Sequence, residues 1–399
     1  MEGRSPRLLG VLVLVLVACL LLAGPGAASA GTTARPTADP SAATPSAPRS
    51  GPPPQGSAPD GSTVGGARLA TRGVLAADGA PPLPSGIGAQ GWLVADADTG
   101  QVLGARDPHG RYYPASTLKT LLLLTLQPLL DPHRVVVGTS EDENIEGSRV
   151  GLVRGGRYSV GLLFQALVLQ SGNDAANALA RTAGGVPVTV AAMNETAAAI
   201  GAYDTVAGTP SGLDVAGQST SPYDLALIFR ALLARPAAAQ VLRLPAARMP
   251  GVPGRTFGWQ IQSQNPLLHT YPGDLGGKTG FTDAARHTFV TAAERGGRRI
   301  VVSLMDTENR PVHFAVQAAR LLDWGFSVPR RTAGIGVLVN SGALPPAQQP
   351  AHATYRAPAT AATALSPPAA LPSGLVALGV LGLVAVVSAR WWARRSRPL

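Results

Sequence analysis

The chain has 399 residues, a single cysteine (Cys19, close to the N-terminus) and a formal net charge of +10. One cysteine excludes a disulfide framework, a cysteine-ligated metal and, once an N-terminal leader is removed, a cysteine nucleophile. The basic excess is no nucleic-acid footprint: +1 lies in residues 1–30 (Arg4 and Arg7 against Glu2) and +4 in Arg390, Arg394, Arg395 and Arg397, leaving +5 elsewhere.

Taken in chain order, residues 1–30 pair a basic start with an apolar run from Leu8 to Ala23 and Ala28-Ser29-Ala30 before Gly31. This is the pattern of a cleaved secretory signal peptide. An uncleaved anchor and lipid attachment at Cys19 are the rival readings, and Leu20 to Leu22 continue the apolar run against the second. Residues 31–84 are rich in Pro, Ala, Ser, Thr and Gly and read as an extended spacer, too poor in large apolar side chains to offset ordering entropy. Residues 85–335 read as the catalytic domain. Gly91 to Asp96 and Gln101 to Arg106 predict a hairpin, as do Thr288 to Glu294 and Arg298 to Met305. Between them, helices are predicted over Ser116 to Gln127, Val160 to Gln170, Asn173 to Thr182, Val188 to Ile200 and Ser221 to Leu233, with a last one over Pro311 to Trp324. Strands at both ends and helices between them imply an α+β fold: an antiparallel sheet flanked by helices, with an inserted all-helical subdomain. Residues 336–370 form a second Pro/Ala-rich linker. Residues 371–392 read as a transmembrane helix with Trp391-Trp392 at the interface, and 393–399 as a basic cytoplasmic tail. The arginines past the span place the catalytic domain outside the cell membrane.

Three short patterns carry chemistry. Ser116-Thr117-Leu118-Lys119 puts a hydroxyl and an amine three residues apart on a predicted helix, on one face. A serine becomes a nucleophile when a base takes its proton, and an amine serves if burial and a second cation lower its pKa. The simpler reading is a helix cap followed by a solvated lysine. Ser171-Gly172-Asn173 places a hydroxyl and a carboxamide where two helical runs meet, and could simply cap the second helix. Lys278-Thr279-Gly280 follows two glycines and precedes a strand; it is no phosphate-binding loop, because Pro272 stands where that pattern needs a glycine. The six histidines show no ligand spacing and read as surface or packed residues.

The order Ser-x-x-Lys, Ser-x-Asn, Lys-Thr-Gly matches the set used by penicillin-binding proteins and related β-lactamases. From about Gly91 to Phe326 the chain resembles the D-alanyl-D-alanine carboxypeptidases, the low-molecular-mass penicillin-binding proteins. Thr209-Pro210-Ser211-Gly212-Leu213-Asp214, Ser219 to Ala226 and Leu321 to Phe326 belong to the likeness. The resemblance implies a sheet packed by helices with a helical subdomain across the cleft, a peptidoglycan stem-peptide substrate, sensitivity to β-lactam antibiotics and no metal or cofactor. It implies Ser116 as nucleophile, Lys119 as its base, and the backbone N–H groups of Ser116 and Phe281 as oxyanion donors beside Gly280. Ser171 and Lys278 would relay the proton to the leaving amine, Asn173 would orient the substrate amide, and Thr279 would bind the terminal carboxylate. The arginine that the family places before the final helix is replaced by His313-Phe314, so Arg310 is the first candidate for the carboxylate clamp and Arg286 the second. The family's usual small β-rich second domain has no room here; a membrane helix takes its place. A class A β-lactamase needs a glutamate in a Glu-x-x-x-Asn context, whereas Glu195 is followed at that spacing by Ala199. A D,D-endopeptidase and a noncatalytic wall-binding homologue remain open at this point.

Overall fold

The computed structural model describes Gly56, Ala58 and residues 62–339, which belong to one unit. The expected signal peptide, most of the spacer and linker, the membrane helix and the tail lie outside the described residues. Among the described residues no single helix is long and apolar enough to cross a membrane.

The strands are β1 (Val74–Ala76), β2 (Gly91–Asp96), β3 (Gln101–Arg106), β4 (Val135–Val137), β5 (Arg157–Ser159), β6 (Ala246–Met249), β7 (Trp259–Gln262), β8 (Asp274–Thr282), β9 (Arg286–Arg295), β10 (Arg298–Thr307) and β11 (Gly336–Val337). The helices are α1 (Lys119–Leu126), α2 (Ser140–Asn144), α3 (Val160–Leu169), α4 (Asn173–Thr182), α5 (Val186–Ile200), α6 (Pro222–Leu233), α7 (Pro236–Leu242) and α8 (Phe314–Ser327).

Both predicted hairpins form, and β10 pairs antiparallel with β2, so the two ends of the domain close into one sheet. The order is β1-β3-β2-β10-β9-β8 with β11 also on β3; β8 is a free edge. Side chains alternate across a strand, and here both faces are covered. Leu93 and Ala95 join a core with Leu121, Leu122 and the helical lobe, while Trp92 and Val94 pack with Phe314, Leu321 and Leu322 of α8. The lobe, from α2 to α5, is inserted between β3 and β8, as the α+β reading expected, but it is not all-helical: β5 lies within it and pairs antiparallel with β4.

Several boundaries differ from the sequence reading. The spacer does not extend to Pro84: Val64 and Leu69 are buried and β1 pairs with β3, so the fold begins some twenty residues earlier. Sparse apolar residues in a Pro/Gly-rich stretch suffice because the sheet supplies their partners. The linker likewise starts later than residue 336, since Gly336 and Val337 form β11 and Leu338 is buried. The last helix starts at Phe314 rather than Pro311, with His313 Nδ1 accepting from Ala315 N–H at 3.2 Å. The short strand pairs β4–β5 and β6–β7, the helices α2 and α7, and β8 itself are additional.

If the segment before Ser85 is part of the folded unit, Leu69→Ala should lower the unfolding free energy by about 2–5 kcal/mol, the usual cost of a buried cavity. Denaturant titration measures this; a change below about 0.5 kcal/mol, the range of exposed positions, would return the segment to spacer.

Candidate active site

The nucleophile turn is not a continuous α-helix. Ala115–Leu118 form a 3-10 turn that runs into α1, and in such a turn side chains three apart eclipse. Ser116 Oγ and Lys119 Nζ accordingly lie 2.9 Å apart. Ala115 has φ +47, a left-handed value that a residue with a Cβ keeps only when its surroundings enforce it. Three neighbours do so. Thr117 Oγ1 and Thr288 Oγ1, the latter from β9, donate to Pro114 O at 2.6 and 2.8 Å. Gly212 (φ +85) packs so closely that a Cβ there would stand 1.9 Å from Ala115 O.

Lys119 is fully buried. Besides Ser116, its Nζ lies 2.7 Å from Asn173 Oδ1 and 2.7 Å from Ser211 O. Both of those are pure acceptors. A neutral amine satisfies them with its two hydrogens, and its lone pair then faces the Ser116 hydroxyl, the one neighbour able to donate. Burial, and next the nearby Lys278 cation, hold the Lys119 pKa well below the usual lysine range. Asn173, the first residue of α4, also donates through Nδ2 to Glu146 O at 2.7 Å. One hydrogen on Nδ2 and one lone pair on Oδ1 remain for a substrate amide.

The cap reading of the second motif fails. The N-cap of α4 is Gly172, which has no side chain to offer, while Ser171 adopts φ +59 and its buried hydroxyl has no hydrogen-bond partner among the described residues. Asp174 instead fastens the preceding loop, accepting from the N–H groups of Val150, Gly151 and Leu152 at 2.8–3.0 Å.

The third motif lies on β8. Lys278 is buried, donates to Thr279 O at 2.7 Å and is pushed down to about 7 by burial. Thr279 is half-buried. A Cβ on Gly280 would stand 2.4 Å from Thr288 Oγ1 and 2.9 Å from Ser116 N, so only glycine lets the strand approach the nucleophile turn. Phe281 follows, 48% exposed. Because β8 is an edge, its outward backbone groups are open to an added strand such as an extended peptide.

The two arginine candidates are placed differently, one tied to a glutamate and the other beside a separate cavity. Arg286 pairs with Glu308 through Nε at 2.6 Å and Nη2 at 3.2 Å and lies over the Phe281 ring at 5.4 Å. Arg310 lines a separate cavity of about 220 Å³ with Gly86, Ile87, Glu308 and Val312. Glu195, the β-lactamase candidate, is exposed on α5.

Among the described residues one group of side chains has metal-ligating character, the buried His109, Asp204 and Asp224. His109 is already committed, with Nδ1 2.7 Å from Asp204 Oδ2 and Nε2 3.0 Å from Val64 O. It fastens the N-terminal segment. The functional atoms that sequence reasoning missed are the Ser211 carbonyl, the Gly212 contact and Thr288. The first two sit in a segment already noted for its likeness, but a backbone carbonyl leaves no signature in residue types.

A family model described as D-alanyl-D-alanine carboxypeptidase matches residues 78–309. The chain belongs to that family. The D-alanyl-D-alanine carboxypeptidase DacB2 of Mycobacterium tuberculosis is 47% identical over 262 residues, covering 64% of this chain and 88% of the relative. A crystal structure of a D-alanyl-D-alanine carboxypeptidase from M. tuberculosis H37Rv superposes with a TM-score of 0.63 at 44% identity, over 66% of this chain and 99% of that one. The Streptomyces K15 DD-transpeptidase, at 24% identity and a TM-score of 0.59 over 62% of this chain and 100% of that one, shares the fold.

Replacing Gly212 by alanine should displace the nucleophile turn. Covalent penicillin labelling is expected to slow at least tenfold, equivalent to about 1–3 kcal/mol of overpacking. An unchanged labelling rate in a folded Gly212→Ala protein would remove the turn's dependence on this contact.

Proposed function

We propose that the chain is a serine-type D-Ala-D-Ala carboxypeptidase that removes the terminal D-alanine from peptidoglycan stem pentapeptides through an acyl-enzyme on Ser116. The observation that carries the mechanism is the set of neighbours around Lys119 Nζ: two acceptors and one hydroxyl, which suit a neutral amine acting as a base. The substrate adds along the β8 edge with its scissile carbonyl over Ser116 Oγ. Lys119 takes the hydroxyl proton as Oγ attacks the carbonyl carbon. The resulting ammonium still finds oxygens at Ser116, Asn173 and Ser211. Backbone N–H groups of Ser116 and Phe281 meet the developing oxyanion, and their rigid placement avoids reorganisation at that moment. As the C–N bond breaks, Ser171 and Lys278 supply the proton with which the leaving D-alanine amine departs. Water then attacks the ester carbonyl with Lys119 as base and frees Ser116. A β-lactam reacts by the same attack, but its leaving nitrogen stays tethered.

Thr279 and Lys278 hold the terminal carboxylate in this reading, and Arg286 joins them only by leaving Glu308. The exposed position of Glu195 argues against a deacylating water of the class A β-lactamase type. Export through residues 1–30 and anchoring through residues 371–392 place the domain on the wall side of the cell membrane; the apolar runs and the arginine tail support this part.

Three outcomes test it. Ser116→Ala should abolish covalent penicillin labelling, and Lys119→Ala should slow acylation by about a hundredfold to ten-thousandfold, the range of general-base catalysis; a labelled, active Ser116→Ala protein would sink the mechanism. The rate should rise with pH on the acid side as Lys119 loses its proton, and fall again as Lys278, at about 7, loses its charge. Lys278→Arg, which stays charged, should therefore move only the falling limb upward in a pH–rate profile. Finally, a chain ending before Leu371 with residues 1–30 kept should be released outside the cell as active soluble protein. Fractionation checks this, and persistent membrane partitioning after salt washing would point to an N-terminal anchor or a lipid on Cys19.

A further inference from the structure

Phe257 is 95% exposed, the most exposed large hydrophobic side chain among the described residues. A lone surface aromatic is ordinary; its setting is not. It stands in the loop between β6 and β7, and that hairpin is bolted to the second motif. Arg255 forms an ion pair with Glu143 of α2. The Trp259 ring lies where a Cβ on Gly151 would touch it at 3.2 Å, and Gln264 N–H donates to Leu169 O at 2.9 Å, two residues before Ser171. The stretch beneath, residues 146–152, is held in turn by Asn173 and Asp174.

Arginines gather at the same place. Around Glu143 stand Arg255, Arg149, whose Nη1 donates to Glu143 O at 2.6 Å, and Arg154, whose N–H donates to Glu143 Oε2 at 3.1 Å. Arg248 lies on the adjoining strand β6, and all four arginines are exposed. The acids on the same stretch are Glu141, Asp142, Glu143 and Glu146; Asp142 is buried and already paired with Arg181, so the rim sets four arginines against three glutamates, an excess of one positive charge beside one bare aromatic ring.

We propose that this rim on the helical-lobe side of the cleft docks the wall polymer itself, the anionic glycopeptide strand that bears the stem peptide being cleaved. The proposal rests on the carboxypeptidase reading. Guanidinium groups pair with carboxylates on neighbouring stems, and an aromatic face covers sugar or peptide surface at little entropic cost. The groups already placed in the cleft, Ser116, Asn173, Lys278, Thr279 and the β8 edge, hold a single peptide end by themselves. An aromatic and cationic rim beyond it adds contacts only for a substrate that continues past the cleft.

The test uses the full chain carrying Phe257→Ala and Arg248→Ala together, compared on purified pentapeptide-rich peptidoglycan and on a soluble blocked tripeptide ending in D-Ala-D-Ala. D-alanine release from the polymer, and co-sedimentation with it, should fall about tenfold, as for loss of interface anchors. Release from the tripeptide and covalent penicillin labelling should stay within about twofold, which also reports that the variant is folded. The polymer rate of the unaltered protein should drop as salt rises from about 0.05 to 0.5 M, because exposed charges are screened. Equal losses on both substrates, no loss on either, or a loss confined to binding of anionic phospholipid vesicles would overturn the proposal. If the unaltered protein releases D-alanine from neither substrate, the carboxypeptidase reading fails, while co-sedimentation with the polymer still decides the rim.

Discussion

A fully buried lysine amine is the constraint around which the rest of this domain is arranged. An unpaired ammonium at the position of Lys119 would cost several kcal/mol in desolvation, and the chain meets that cost by favouring the neutral form. Burial does most of it, and the cation of Lys278 adds to it. The neutral amine still needs two acceptors and a donor within hydrogen-bond reach. Those atoms come from three separate places: Asn173 at the start of α4, the carbonyl of Ser211 in an irregular loop, and Ser116 in the 3-10 turn. An error in any of the three would leave a buried polar group unsatisfied, so the site constrains the lobe, the loop and the turn at once.

The sheet provides the second half of the arrangement. Pairing of β10 with β2 joins the ends of the domain and fixes β9, which supports both neighbours of the nucleophile. Thr288 of β9 holds Pro114, and β9 carries β8 at the free edge. Two glycines decide how closely these parts approach. Gly212 backs the turn from one side and Gly280 brings β8 against it from the other, each at a distance that a methyl group would prevent. A nucleophile held between two backbone contacts has little freedom, which suits a mechanism that depends on placed donors more than on motion.

Elements with strong periodic or capping signals were legible in the sequence. The hairpin around Thr99-Gly100 formed as read, the one around Gly296-Gly297 formed with strand ends up to two residues further out, and α4 and α6 carry the expected limits within a residue. Elements that depend on a partner were not. β8 contains Gly276, Gly277 and Gly280, a poor strand by propensity, and it is extended because β9 pairs with it. β1 and β11 are two or three residues each and exist only because β3 offers an edge. The helix expected over Ser116 to Gln127 begins as a 3-10 turn because its first residues are held by Thr288 and Gly212, contacts distant in sequence.

By itself the sequence determined the chemistry available: a hydroxyl and an amine three residues apart, a serine and a carboxamide at a helix junction, and a lysine beside small residues, in an order that resembles one family. It also determined the fold class, because strands at both ends with helices between them leave few ways to close a sheet. What the tertiary structure decided is the state of those groups. Spacing cannot reveal whether a lysine is solvated or enclosed, and the proton on Lys119 depends on that enclosure. Nor can residue type reveal a backbone carbonyl such as that of Ser211, or a positive φ at Ala115 and Ser171. Those properties arise from close approach between segments far apart in the chain, and hydrogen bonding and desolvation act through that proximity.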